Sequence, residues 1–151
     1  MNAEELKHKV TELCPRATYD ETGEFLTTLI AAPDLLPVMQ QLAKDNELHF
    51  DFLFCLTCID WKDHFMMVYH LRSTDLNHCL VVKAKITDTT NPEIESVNDI
   101  WRTAEFHEDE VYDMFGVKFL NHPNLRRLFL EADWNGFPLR KNYTDENMIK
   151  L

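Results

Sequence analysis

Residues 50 to 65, FDFLFCLTCIDWKDHF, contain two cysteines with Cys-x-x-Cys spacing, Cys55 and Cys58. This spacing is typical of dithiol redox sites and of half of many zinc sites. The surrounding residues alternate and include several aromatic side chains, which predicts a strand over 50–59. Because successive side chains of a strand point to opposite faces, cysteines three residues apart cannot share a metal or form a disulfide. We therefore expect small buried apolar cysteines, with a free-standing zinc or dithiol redox protein as the distant alternative.

The other chemical motifs of the chain are incomplete. Residues 107–111, HEDEV, lack the second histidine of the zinc-protease motif H-E-x-x-H, because position 111 is Val. Three glycines are too few and too scattered to build a nucleotide-binding loop. The acidic residues near HEDEV are expected on a solvated or partner-facing helix surface; they are Glu105, Glu108, Asp109, Glu110 and Asp113. We expect no catalytic, cofactor or metal site on this chain.

Composition and charge exclude several classes of protein. The chain has 151 residues, 45% of them hydrophobic and 27% charged, as expected for one globular domain. Its net charge of −11 does not favour binding to nucleic acid or to an anionic membrane. Four cysteines are too few for a disulfide scaffold. No apolar run approaches the roughly 18 residues that span a bilayer, so we expect any membrane association to come from a partner.

Hydrophobic periodicity predicts an α+β fold of order α-β-β-α-β-β-β. A first amphipathic helix is expected over 3–14, and a second begins after Asp34, a good N-cap residue. Strands are expected at 16–20, 24–31, 50–59, 64–71 and 78–87. A short helix over 102–116 then ends at Gly116, a typical C-cap residue. The sequence thus predicts an α/β domain over 1–116.

Residues 117–151 differ in kind and form a predicted extended arm. Prolines and Gly136 interrupt regular periodicity there, although the segment is rich in aromatic and aliphatic residues. Such a segment either wraps its own domain or lies on a partner. In isolation the arm is expected to be partly disordered, because few contacts would offset its ordering entropy.

The segment 108–143, EDEVYDMFGVKFLNHPNLRRLFLEADWNGFPLRKNY, resembles the 30 kDa subunit of respiratory complex I. In bacteria this family is the C subunit of NADH-quinone oxidoreductase. The resemblance rests on an acidic triplet followed by YDMFG, on His-Pro and Arg-Arg, and on the closing DW-x-G-x-PLRK-x-Y. Asp109 stands where the family usually has Arg. Upstream, TCIDW and FMMVYHLRS also resemble the family's strand–turn–strand.

The resemblance implies a two-layer α/β domain whose C-terminal arm docks on the large quinone-site subunit, which is of the 49 kDa type and is the D subunit in bacteria. The chain would be an accessory, non-redox subunit of the hydrophilic arm of proton-translocating NADH-quinone oxidoreductase. It would support assembly on the cytoplasmic side of the bacterial inner membrane. FMN and iron–sulfur clusters are expected on other subunits, with no cofactor here. The alternative is the homologous subunit of a membrane-bound hydrogenase or of a ferredoxin- or F420-linked complex.

The residues matched to the family motifs are the candidate partner interface. They are Glu108, Glu110, Tyr112, Asp113, His122, Arg126, Arg127, Trp134, Pro138, Leu139, Arg140, Lys141 and Tyr143. Arg126, Arg127 and Arg140 are suited to bidentate pairing with partner carboxylates. The alternative is that these guanidinium groups pair with the acidic helix of their own domain.

Overall fold

The structure, a computed structural model, describes residues 2–143. Three helices and seven strands follow one another along the chain, with a 3₁₀ turn over Ala32–Asp34. In chain order they are α1 (Ala3–Leu13), β1 (Thr18–Asp20), β2 (Thr27–Ala31), α2 (Leu35–Lys44), β3 (Phe52–Asp60), β4 (Phe65–Ser73), β5 (His78–Ile86), β6 (Glu93–Glu95), α3 (Ala104–Phe115) and β7 (Lys118–Leu120). The predicted α+β class and the order of the first seven elements are confirmed.

Five strands form one sheet in the order β1-β2-β5-β4-β3. The strands β3, β4 and β5 pair as an antiparallel meander, β1 pairs antiparallel to β2, and β2 runs parallel to β5. A parallel pair needs a crossover connection, and here α2 together with β3 and β4 provides it. The short strand β1 and the nine-residue strand β3 are the edges of the sheet.

The alternation in the three long strands places one face of the sheet in the core. Leu53, Leu56, Met67, Tyr69 and Leu71 on this face are buried. They form a single cluster with the apolar stripes of the three helices. One layer of helices therefore packs on one face of the sheet, which accounts for the two-layer architecture.

Helix ends are partly as predicted. Gly116 ends α3 in the left-handed conformation with a φ of 78°, which confirms the predicted C-cap. The predicted N-cap of α2 was wrong, since Asp34 has helical dihedral angles and its side chain makes no capping hydrogen bond. The 3₁₀ turn leads directly into α2, so the helix has no extended residue at which an N-cap could form.

A small parallel pair of strands was not predicted. In this pair β6 and β7 lie side by side, with Ile94 opposite Phe119. Val117 and Phe119 are buried in the core, so 117–120 belongs to the folded domain and the arm begins later than the predicted boundary at 116. None of the helices within 2–143 is long and apolar enough to cross a membrane.

Candidate functional site

Helix α3 buries three carboxylates. Glu108, Asp109 and Asp113 are at most 1% exposed, whereas Glu110 between them is exposed. The expectation that this acidic face is solvated or faces a partner was therefore wrong for the three buried residues. A buried carboxylate needs hydrogen-bond donors, and other segments of the chain supply them to all three residues.

Asp113 receives its donors from the arm. Its Oδ2 accepts backbone N–H groups of three consecutive residues, with N···O distances of 3.2, 2.7 and 3.2 Å from Leu128, Phe129 and Leu130. Its Oδ1 accepts from Nη1 of Arg127 at 3.2 Å. One buried carboxylate thus fixes the backbone of the arm against the helix.

The guanidinium of Arg127 ties together both ends of an arm loop. In addition to Asp113, it donates to the backbone carbonyls of Trp134 at 3.2 Å and Gly136 at 2.9 Å. It also lies over the ring of Phe137, 4.7 Å from the centroid. Of the two alternatives left open by the sequence, pairing with the acidic helix of its own domain describes Arg127 here, because its side chain is 8% exposed and contacts Asp113.

Glu108 and His122 form a second buried polar group. Ser96 Oγ donates to Glu108 Oε1 at 2.6 Å, and the backbone N–H of Val97 donates to Oε2 at 3.1 Å. Burial raises the pKa of Glu108 to about 7, although these two hydrogen bonds favour the ionised form. His122 Nε2 lies 3.9 Å from Glu108 Oε1, and the His122 side chain is 1% exposed. Glu108 and His122, both placed in the candidate partner interface from the sequence, therefore have buried side chains in this structure.

His122 is held by the backbone on both ring nitrogens. Its Nδ1 accepts the N–H of Asn124 at 3.0 Å, which assigns the ring hydrogen to Nε2. Nε2 then donates to the carbonyl of Glu105 at 3.2 Å. Asp109 accepts the backbone N–H of Arg126 at 3.1 Å, while the Arg126 side chain stays exposed.

The last part of the arm is anchored near the end of α3. Arg140 Nε donates to the carbonyl of Phe115 at 2.5 Å, and its guanidinium lies between the rings of Phe65 and Phe137. The N–H of Lys141 donates to Asp60 Oδ2 at 2.9 Å. A Cβ at Gly116 would lie 2.6 Å from the Phe137 ring, so glycine is needed here for close approach as well as for its φ.

The two cysteines of CLTC lie on opposite faces of β3, as predicted. Cys58 faces the core at 5% exposure, and burial raises the pKa of its thiol to about 12. Cys55 points to the other face, opposite His70 of β4, and is only half-buried, so the expected burial holds for Cys58 alone. Neither is in a disulfide, and residues 2–143 contain no group of three potential ligands that could hold a metal ion.

Comparison with known proteins identifies the family. The family model described as "Respiratory-chain NADH dehydrogenase, 30 Kd subunit" matches residues 28–147. The chain belongs to this family. The match includes most of the domain and all of the arm that the structure describes, so the predicted resemblance is confirmed.

Similar proteins carry related names. The chain is 39% identical over 121 residues to the C subunit of NADH-quinone oxidoreductase from Citrifermentans bemidjiense, with 78% of this chain and 73% of that one covered. It is 50% identical over 104 residues to the C/D subunit of NADH-quinone oxidoreductase from Phocaeicola vulgatus, with 68% of this chain covered. The match spans only 20% of the length of that C/D protein.

A solved structure has the same fold. A chain in the structure of the membrane-bound sulfane sulfur reductase, an archaeal respiratory membrane complex, superposes with a TM-score of 0.79 at 26% identity. The superposition covers 93% of this chain and 85% of that chain. The fold of this family therefore also occurs in an archaeal respiratory membrane complex.

The structure sorts the motif residues of this family member by exposure. Among the buried ones, Asp113 and Arg127 hold the arm, whereas Glu108 accepts hydrogen bonds from Ser96 and Val97. The side chains left outside are Glu110, Arg126, Trp134, Leu139 and Lys141, with Tyr112, Pro138, Arg140 and Tyr143 half-buried. Sequence reasoning missed Phe129, whose side chain is 68% exposed beside the Asp113 anchor. The signal that could have identified Phe129 in the sequence is an aromatic residue within an irregular segment.

Proposed function

We propose that this chain is an accessory, non-redox subunit in the hydrophilic arm of a proton-translocating NADH-quinone oxidoreductase. In this role it lies on the cytoplasmic side of the membrane, docks on the large quinone-site subunit and supports assembly. The observation that carries the proposal is the family match over 28–147, which contains the arm and its motifs. The names of the similar subunits point the same way.

The presentation of apolar groups by the arm supports docking. Phe129, Trp134 and Leu139 are 68%, 39% and 56% exposed, although the backbone near each is fixed. The N–H of Phe129 donates to Asp113 Oδ2 at 2.7 Å, and the N–H of Leu139 donates to the carbonyl of Met114 at 3.0 Å. Because the backbone of the segment is held before binding, little backbone conformational entropy is lost when these side chains are buried on a partner.

The geometry of CLTC supports a role without redox chemistry. Cys55 and Cys58 face opposite sides of the sheet and cannot act as a dithiol or as paired ligands. The Cys58 thiol, with its pKa near 12, is protonated at neutral pH and therefore a poor nucleophile. Electron transfer is then the task of other subunits, to which we assign FMN and the iron–sulfur clusters.

A second candidate function is membership in a related membrane complex with another electron donor. The superposition on a subunit of an archaeal sulfane sulfur reductase favours keeping this alternative. A membrane-bound hydrogenase or a ferredoxin- or F420-linked complex would use the same scaffold. The two candidates differ in the electron-input subunits that accompany the chain.

The test is affinity capture of the tagged chain from membranes of its host in mild detergent, followed by mass spectrometry. We expect flavin and iron–sulfur NADH-oxidising subunits together with the large quinone-site subunit. A nickel–iron hydrogenase module in their place supports the second candidate. Recovery of the chain alone contradicts both.

Variants connect the capture to the arm. Phe129→Ser combined with Leu139→Ser is expected to reduce recovery of the large quinone-site subunit about tenfold or more, because it removes two apolar contacts. Leu76→Ser is the control, since Leu76 is a 40% exposed leucine in the turn between β4 and β5. Equal recovery in the double variant, the control and the wild type would contradict docking through the arm.

A further inference from the structure

The sheet has a second face, which the helices do not cover. Helices α1, α2 and α3 all pack in the core with the inward residues of β3, β4 and β5. The alternate residues of these strands point the other way. On β4 and β5 they include Met66, Val68, Val81, Lys83 and Lys85. Val68 and Val81 are only 5% and 6% exposed, although no helix of residues 2–143 lies over them.

The charges at the outward positions of the three long strands are cationic, while Asp20 of the edge strand β1 and Glu24 lie at the margin of the same face. The charged residues among the outward positions of β3, β4 and β5 are Arg72, Lys83 and Lys85, and none of these positions holds Asp or Glu. The chain as a whole has a net charge of −11, so the part of this face formed by the three long strands differs in sign from the chain as a whole. Within 2–143 neither lysine has a carboxylate within 4.0 Å.

Two neighbouring grooves give the face its shape. One, of about 360 Å³, has Ile59, Val68 and Val81 at its apolar floor, with Lys83 beside them and Glu24 at its margin. The other, of about 350 Å³, contains Leu29 and Met66 together with Lys85 and Arg16. They are adjacent because Met66 and Val68, like Lys83 and Lys85, are successive outward residues of one strand. The result is an apolar floor bordered by cations.

The backbone of the face restricts what can cover it. The N–H and C=O groups of β4 and β5, the strands at its centre, are already paired in the ladders with neighbouring strands. A segment buried on this face must therefore satisfy its own backbone groups, as a helix does. Two outward residues of one strand are about 7 Å apart. Carboxylates at positions i and i+4 of a helix are about 6 Å apart at Cβ, so a helix can present one to each lysine.

We infer that an amphipathic helix of a partner protein, with Asp or Glu beside its apolar stripe, packs on this open face. Its apolar side chains cover Leu29, Ile59 and Met66, which are half-exposed above the buried Val68 and Val81. Its carboxylates pair with Lys83 and Lys85. This contact uses no residue of the arm. It is a second interface that is independent of the docking surface proposed above.

Zero-length coupling with a carbodiimide in host membranes tests the contact, because it joins amines only to carboxylates that touch them. We expect Lys83 or Lys85 to be joined to Asp or Glu in a helix of another protein. Links only within this chain or to a second copy of it would overturn the inference, as would no link at either lysine. The identity of the linked protein tests the proposed function separately.

A charge reversal provides the second measurement. Lys83→Glu combined with Lys85→Glu is expected to lower recovery of the coupled partner about tenfold or more, because carboxylates then face carboxylates. Lys44→Glu combined with Lys118→Glu is the matched control, since both lysines are exposed on other surfaces. Recovery equal to that of the control would overturn the inference, even if the arm variants still impair assembly.

Discussion

Asp113 is the residue that determines where the arm lies. It accepts three consecutive backbone N–H groups and one guanidinium N–H, so its carboxylate is fully satisfied although its side chain is buried. The Asp113 side chain thereby accepts the backbone N–H groups of residues 128–130, which in a strand would be paired with a neighbouring strand.

Asp113→Asn is expected to lower the free energy of unfolding by about 3 kcal/mol, because the amide loses the charge that Arg127 and the N–H groups require. Urea denaturation of the purified chain measures this change. Glu110→Gln on the same helix is the control and should change stability by about 0.5 kcal/mol at most, since Glu110 is exposed. A similar small effect of both substitutions would show that Asp113 does not hold the arm.

Glu108 gives the chain a pH dependence of definite sign. Its pKa is raised from 4.5 to about 7, chiefly by burial. Between these two values the folded state binds more protons than the unfolded state. The contribution of Glu108 to stability is therefore favourable at low pH and decreases as the pH rises toward 7.

Glu108→Gln should flatten this dependence, because glutamine stays neutral at every pH. In the wild type the group adds a slope of up to about −1.4 kcal/mol per pH unit between pH 5 and pH 7. Urea denaturation at pH 5, 6 and 7 gives the slopes of the two proteins and of Glu110→Gln. An identical slope in the wild type and Glu108→Gln would contradict burial of this carboxyl group.

At the scale of elements, the end of α3 is where the domain and the arm meet. Gly116 closes the helix with a φ of 78°, and its N–H donates to the carbonyl of Tyr112 at 2.8 Å. The missing side chain leaves room for Phe137 and Arg140 to pack directly on the backbone. Helix termination and arm docking therefore depend on the same glycine.

Gly116→Ala is expected to reduce stability by about 1–3 kcal/mol, because it adds backbone strain and a Cβ where the Phe137 ring packs. Gly23→Ala is the matched control, since a Cβ at Gly23 meets only one atom, at 4.0 Å. Thermal and urea unfolding report the stability, and limited proteolysis within 128–143 reports release of the arm. Equal effects of the two substitutions would contradict the close packing.

At the scale of the whole molecule, the arm follows its own domain from Arg126 to Lys141 and still exposes apolar groups. The sequence left open whether the arm wraps its domain or lies on a partner, and the structure has the first. Arg126 remains exposed, whereas Arg127 is part of the fold. A substitution of both arginines would therefore mix a surface effect with a loss of stability, and Arg126 alone is the cleaner interface variant.

The anchored part of the arm is expected to be protected in the isolated chain. Amide hydrogen exchange at 128–130 should be slowed by about 100-fold or more, which corresponds to an opening free energy of about 3 kcal/mol. The exposed residues 131–133 are the internal reference. Rapid exchange at 128–130 in the wild type, or unchanged protection in Asp113→Asn, would contradict anchoring by that carboxylate.

The sequence by itself determined the local features. Alternation in 50–86 predicts the three long strands, and strand geometry alone places Cys55 and Cys58 on opposite faces. Gly116 as the end of α3 follows from backbone preference, and the motifs of the arm identify the family. Each of these depends on residues close together in the chain, so sequence patterns are sufficient.

Only the tertiary structure decided the environment of the acidic helix. From its sequence, α3 presents Glu108, Asp109 and Asp113 as a charged surface, yet all three are buried. Their donors come from 96–97 and 126–130, which no periodicity within the helix can reveal. The same holds for the pairing of β6 with β7. Burial and pairing of this kind are long-range properties, because the partner segments are distant in the chain and meet only when it folds.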